Sequence, residues 1–348
     1  ERHFFEFVID RLLLVVGPHP KRIMVVLMVA ASVSAALVDE VTSILFMVAA
    51  MLNLLGRSKL NPAPYILMLV FTTNIGSSAT VVGNPVGIII ALRSGLTFLD
   101  FLRWAAPISA VCLVLTIVLC LKLFAKDIKA LKPVLEGARG ERQLERMVEE
   151  EHVTRKGIRR AGWLFGGVIT GLVLHHPLEH LLHLPNNTML LAVALLGAGV
   201  ALMLSGEQAR DLVEKRVDWW TLAFFLMLFA SVGTLKQSGV TGVLAQRIIQ
   251  LSGGHMPILT SLFGWSSWIL TSVMDNVLAV ATFVPIVGDV AAQGLYTFPL
   301  WWAMLMGGTL GGNATLIGST ANIVAAGVLE RRKLGEITFA QWLKPGLL

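Results

Sequence analysis

The chain has 348 residues, of which 55% are hydrophobic and only 14% charged, and its mean hydropathy is +0.74. Soluble domains carry about 25% charged residues, so this composition excludes an ordinary soluble domain and indicates a polytopic membrane protein. The formal charge of +6 does not point to nucleic acid, because the basic residues gather in short loops between apolar segments, as the positive-inside rule requires.

Residues 4–16 are amphipathic and too short to span, which predicts an interfacial segment. Residues 24–38 and 41–55 are apolar arms meeting at Asp39-Glu40, a predicted hairpin over 21–55. Residues 63–94 form an apolar run broken by Gly76-Ser77-Ser78-Ala79-Thr80-Val81-Val82-Gly83-Asn84-Pro85. A second interfacial piece is predicted at 98–104, then a clean span over 105–125. That span holds Cys112 and Cys120, which lie roughly 12 Å apart along a helix, too far for a disulfide. Residues 126–160 are the one long polar segment and read as a solvated cytoplasmic linker.

Further spans are predicted over 161–174, 188–204 and 217–234. The loop from 176 to 187 has no lysine or arginine, which places it outside. His175, His176, His180 and His183 fall in it or at its start without a cysteine or aspartate, so an interfacial loop is expected and no metal site. Residues 239–251 read as interfacial. A second pair of arms meets at Asp275-Asn276, giving a hairpin over 256–292, and a second broken helix covers 298–333. Its break reads Gly311-Gly312-Asn313-Ala314-Thr315-Leu316-Ile317-Gly318-Ser319-Thr320-Ala321-Asn322. Trp219, Trp220, Trp301, Trp302 and Trp342 stand at predicted helix ends and read as interface anchors.

The two halves repeat. Arg11, Gly17, His19 and Asp39 fall on Arg247, Gly253, His255 and Asp275 at a constant spacing. Gly76, Ala79, Thr80 and Gly83 fall on Gly311, Ala314, Thr315 and Gly318 at a spacing one residue shorter. With the linker inside, an odd number of crossings separates the units, so the repeat is inverted. The fold expected is an all-α polytopic membrane protein of two inverted repeats, each with a re-entrant hairpin and a broken helix, plus scaffold helices. Its parts are residues 1–125, the linker 126–160, scaffold helices 161–234 and the second repeat 235–348. Unit two has three spans before it and unit one none, so the chain is expected to be clipped at both ends.

Two interrupted helices in corresponding places mark a secondary transporter's binding site, because a break at membrane depth frees carbonyls and creates helix ends. Asp39, Glu40 and Asp275 sit between long apolar runs. A carboxylate at that depth costs about 3 kcal/mol or more, so it is functional by default. The plainer reading makes both tips ordinary loops in water, but neither carries the glycine or proline of a solvent turn. Such carboxylates suit carrying a proton or exchanging it for sodium. Thr42, Ser77, Ser78, Thr80, Asn84, Asn276, Asn313, Thr315, Ser319, Thr320 and Asn322 supply neutral groups that can replace an ion's hydration shell. Helix–helix packing is the competing use of small polar residues, though packing alone favours an unbroken helix.

These residues, with Val217-Asp218-Trp219-Trp220-Thr221-Leu222-Ala223-Phe224-Phe225, resemble the ArsB/NhaD group of the ion transporter superfamily, which includes citrate-transporter-like permeases and the P protein. The resemblance implies re-entrant hairpins, a dimerising scaffold and a transport domain moving as an elevator. Related sodium–dicarboxylate symporters carry Ser-Asn-Thr at both tips, where this chain has Asp39-Glu40-Val41 and Asp275-Asn276-Val277. That departure favours arsenite-type efflux or sodium/proton antiport over di- or tricarboxylate transport, and Glu40 stands where the group usually has asparagine. An anion channel is the next alternative. A membrane-embedded enzyme lacks any nucleophile–base pair. No cofactor is expected beyond the coupling ion, sodium or a proton. The partners expected are the lipid bilayer, a small ion or anion and a second copy, in the plasma (inner) membrane.

The helices outside the hairpins and breaks are apolar without mid-span charge, so they are expected to contact that second copy. Mass measurement in mild detergent and in lipid checks this, and a monomer in both overturns it.

Overall fold

The computed structural model describes residues 19–56, 58, 60–136, 155–185, 188–217 and 219–347. The predicted segment 4–16, linker residues 137–154 and Asp218 lie outside them. The described residues form helices joined by turns, with no strand among them. Three helical stretches among them are long and apolar enough to cross a membrane, at Pro20–Leu37, Phe98–Leu123 and Thr188–Lys215.

The first unit comprises α1 (Pro20–Leu37), α2 (Glu40–Leu55), α3 (Ala63–Ser77) and α4 (Pro85–Ser94). Next come α5 (Phe98–Leu123), α6 (Arg155–Val173), α7 (His175–Leu182), α8 (Thr188–Ser205), α9 (Ala209–Arg216) and α10 (Trp219–Gln237). The second unit is α11 (Val240–Ser252), α12 (Met256–Val273), α13 (Asn276–Ala292), α14 (Phe298–Gly311), α15 (Thr320–Arg331) and α16 (Phe339–Gly346).

Sequence explains where these helices start and stop. The Asp39 carboxylate caps α2 by accepting from the Val41 and Thr42 amides, and Asp275 caps α13 through Val277. Pro85 opens α4 where its missing amide proton is not needed, with Asn84 as the cap. Ser319 caps α15 by accepting from the Ala321 amide.

Three local expectations change. The piece at 98–104 is not separate from the span, since a π turn at Phe101–Ala105 carries the helix straight into it. The start of the linker is not a solvated face: two short helices, Ala125–Ala130 and Lys132–Glu136, bury Ile128, Leu131 and Leu135 against the first unit. The histidine loop contains helix α7, whose His175 and Glu179 are buried.

The apolar residues gather in two cores. One joins α1, α2 and α3 with α15, and the other joins α12, α13 and α14 with α4. Each core therefore takes its last helix from the other unit. In lipid the gain comes from close packing, and small residues set the approach distance. A Cβ on Gly76 of α3 would strike the Ser32 carbonyl of α1. The corresponding Gly311 of α14 would meet the Trp268 carbonyl of α12 at 2.7 Å. Likewise the Thr80 hydroxyl donates to the Ala36 carbonyl, and Thr315 to the Ser272 carbonyl at 2.7 Å. These pairs fall at the spacings of the sequence repeat, so each break is pinned to its own hairpin in the same way.

Gly76→Ala and Gly311→Ala are expected to lower stability by about 1–3 kcal/mol each, because backbone cannot move aside for a methyl group. Gly327→Ala meets open space and serves as the control. Thermal unfolding in detergent reads the difference, and equal midpoints for all three variants overturn the packing argument.

Candidate functional site

Four helix N-termini converge on one group of polar side chains, those of α2, α4, α13 and α15. At their centre is Glu40, the first residue of α2, 2% exposed. Its carboxylate accepts from the Ser77 hydroxyl at 3.0 Å, the Ser319 hydroxyl at 3.3 Å and the Asn276 amide at 3.4 Å. Asn276 is the residue that the repeat places opposite Glu40, so the two hairpin tips touch through equivalent positions. All three donors are uncharged. Asn84 joins the group by donating to the Ser77 hydroxyl at 2.8 Å, while its carbonyl oxygen accepts from the Gly87 amide.

A second layer ties the two breaks together. The Asn74 amide donates to the side-chain oxygens of Asn313 and Asn322, both at 2.8 Å, and Asn74 Oδ1 accepts from Ser319 at 3.2 Å. Asn322 in turn donates to the carbonyls of Gly312 and Thr315, which the unwound chain leaves without helical partners. Asn313 donates to the Phe71 carbonyl at 3.2 Å. One acceptor, Asn276 Oδ1, is buried without a partner.

The remaining candidates lie around this network. Asp39 accepts from the Thr42 hydroxyl at 2.6 Å, and Asp275 accepts from Thr320 at 2.8 Å. Both aspartates are half-buried, while Thr42 and Thr320 are exposed, so these pairs form the rim beside the contact between the tips. Ser78 faces away and pairs with Ser109 of α5 at 2.7 Å. Thr80 and Thr315 point to the hairpin carbonyls and hold the breaks in place. A cavity of about 380 Å³ reaches Asn313 from the side of α5 and α16, with Phe71, Cys120 and Gly346 among its walls.

The sequence matches the CitMHS citrate transporter family over residues 1–307. The chain belongs to that family. It is 35% identical to an uncharacterized transporter of Mycobacterium tuberculosis, over 94% of this chain and 73% of the relative. It is 34% identical to the 46 kDa membrane protein of Mycobacterium leprae, over 93% of this chain and 72% of that protein. The human P protein is 25% identical over 92% of this chain and 46% of its own length. A citrate transporter family member built from apolar helices is an integral membrane protein and a transporter. The group named from the hairpin tips and the second break, citrate-transporter-like and P-protein-like, is the group found.

Two members of this transporter's polar layer were not among the candidate site residues. Asn74 lies inside the apolar run of α3, and its signal was an amide three residues before Ser77 on the same helix face. Trp342 was read as an interface anchor. It is fully buried, packs edge-on against Phe71, and donates from its indole to the Asn313 carbonyl at 2.9 Å. Trp301 and Trp302 are buried as well, so these ring positions are interior packing and not anchors.

Asn74→Ala leaves buried groups of Asn313, Asn322 and Ser319 short of a partner, at about 1–3 kcal/mol for each unsatisfied group. A fall of the unfolding midpoint is expected, larger than for Ser78→Ala, whose loss touches only Ser109 and the Ile75 carbonyl. An Asn74→Ala midpoint at the wild-type value overturns the role of Asn74 as the tie between the breaks.

Proposed function

We propose that this chain is a proton-coupled secondary transporter of a small oxyanion, inorganic or carboxylate, in which Glu40 carries the coupling proton. The observation that carries this reading is the setting of Glu40: a buried carboxylate among four helix N-termini, held only by uncharged donors. Helix N-termini offer partial positive charge and exposed amides, which favour an anion. With Glu40 ionised, its own charge sits at that seat. With Glu40 protonated, the same field is available to a substrate anion. Binding of proton and anion are then linked, because each makes room for the other.

The rest of the mechanism follows from the packing. Each break is pinned to its hairpin, and each core borrows a half-helix from the other unit, which supports movement of hairpins and broken helices as one body. The paired contacts at the repeat spacings support two units of inverted topology with re-entrant hairpins. The long helices α5 and α8 expose Val111, Leu115, Leu195 and Met203, which suits a scaffold meeting lipid and a second copy. In this reading the protein lies in the plasma (inner) membrane with residues 126–160 on the cytoplasmic side, and it moves solute without transforming it. The citrate transporter name of the family supports an oxyanion over a bare cation as the solute.

Uptake into proteoliposomes tests the coupling, with citrate, arsenite and phosphate as probes under an imposed pH gradient. Glu40→Gln keeps the shape and loses the titratable group. Gradient-driven uptake is expected to fall to the level of empty vesicles, while exchange of solute at equal pH persists. A Glu40→Gln protein that still follows the pH gradient, or a wild type driven by sodium at constant pH, overturns the proposal.

A further inference from the structure

The Ser319 hydroxyl has two acceptors within reach and one proton to give. It lies 3.3 Å from the Glu40 carboxylate and 3.2 Å from Asn74 Oδ1, and it is fully buried. Its third contact, the Ala321 amide, uses the oxygen and not the proton. Which acceptor wins depends on Glu40. A hydrogen bond to an ionised carboxylate is roughly twice as strong as one to a neutral amide oxygen, so an ionised Glu40 holds the Ser319 proton. A protonated Glu40 supplies its own O–H, and the Ser319 proton is released to turn toward Asn74.

We propose that Ser319 is a positioning residue that passes the protonation state of Glu40 to Asn74, and through Asn74 to the second break. The inference rests on Glu40 as the proton carrier and adds the route by which the proton is felt. From Asn74 the route continues along its bonds to Asn313 and Asn322, and Asn322 holds the Gly312 and Thr315 carbonyls of the unwound segment. The backbone that would face a substrate is thus held by an amide, Asn322, whose own partner Asn74 gains or loses a donor with the state of Glu40.

The first unit lacks this device. The residue equivalent to Ser319 is Asn84, whose amide donates to Ser77 while its oxygen accepts from Gly87. An amide carries two donors on one nitrogen and does not have to choose. Ser77 also faces two acceptors, Glu40 and the Asn74 carbonyl, but that carbonyl is backbone of its own helix and leads to no other element. The other ionisable groups at the two tips are Asp39 and Asp275. Asp39 is committed to the Val41 and Thr42 amides and the Thr42 hydroxyl, and Asp275 to the Val277 amide and Thr320. The side chains that α3, α4, α13 and α15 add to the bonds around Glu40 are neutral: Ser77, Asn84, Asn276 and Ser319.

Infrared difference spectra of the full chain in lipid, recorded across a pH titration, test this without a known substrate. The wild type is expected to show a carboxyl C=O band, absent from Glu40→Gln, whose titration is matched by a shift in the side-chain amide C=O band that Asn74→Ser removes, distinct from the band of Asn276, which touches Glu40 directly. Ser319→Ala and Ser319→Asn are expected to keep the carboxyl band and to lose the accompanying amide shift. Ser319→Asn retains an oxygen able to cap α15, so it covers the case in which Ser319→Ala does not fold. Ser319→Thr keeps the hydroxyl and is expected to retain the shift. A shift of the Asn74 band that still tracks the carboxyl in Ser319→Ala or Ser319→Asn overturns the relay and leaves Glu40 as the carrier. A spectrum in which Glu40→Gln removes no titrating carboxyl overturns the carrier itself, and the relay with it.

Discussion

The Glu40 carboxylate draws its hydrogen bonds from three elements besides its own helix: Ser77 at the end of α3, Asn276 at the start of α13 and Ser319 at the start of α15. A buried polar group without partners destabilises the fold by several kcal/mol, and a buried charge by far more. Neutral donors from three directions can hold such a group only if both hairpin tips and both breaks arrive together. That requirement orders the molecule. The caps at Asp39, Asn84, Asp275 and Ser319 start four helices at the same place, and the glycines at Gly76 and Gly311 let the breaks approach their hairpins closely enough to deliver them.

The two units make equivalent contacts but not identical chemistry. Thr80 and Thr315 pin their hairpins alike, and Gly83 and Gly318 lie against Ser77 and Gly312 alike. At the centre the equivalence ends. Glu40 faces Asn276, Asn84 answers to Ser319, and Asn322 stands where the first unit has Gly87. Symmetric packing brings the two units together, and the unmatched residues give their meeting point one carboxylate on one side and more amides on the other. The coupling proposed for Glu40 needs such a difference, because a proton and a solute must be told apart at one place.

Much of this was legible in the chain itself. Glycines and small polar residues inside apolar runs located both breaks, and Asp39 and Asp275 located both tips, because a break or a charge in a membrane needs a reason. Periodicity did not reveal Asn74: α3 is apolar on every face, and one amide barely alters its pattern. Its partners Asn313 and Asn322 are far away in the chain, and only the fold brings them near. Trp342 was misplaced for a related reason. A tryptophan at the end of an amphipathic helix reads as an anchor unless the carbonyl it binds is known. Asp39, Glu40 and Asp275 all drew attention as charges, and of the three Glu40 holds the centre, since a cap must stay at the helix end while the next side chain points inward.

The exchange of half-helices between cores bears on how the protein is made. Synthesis runs from the N-terminus, and α1, α2 and α3 emerge long before α15, the helix that completes their core. Contacts between such distant parts of a chain form slowly, and surfaces awaiting a late partner are exposed to mispairing. The first hairpin and its polar tip must therefore wait, unsealed, while the membrane insertion machinery delivers the second unit. Maturation of this transporter is a closing of both halves at once, and neither half can serve as a finished template for the other.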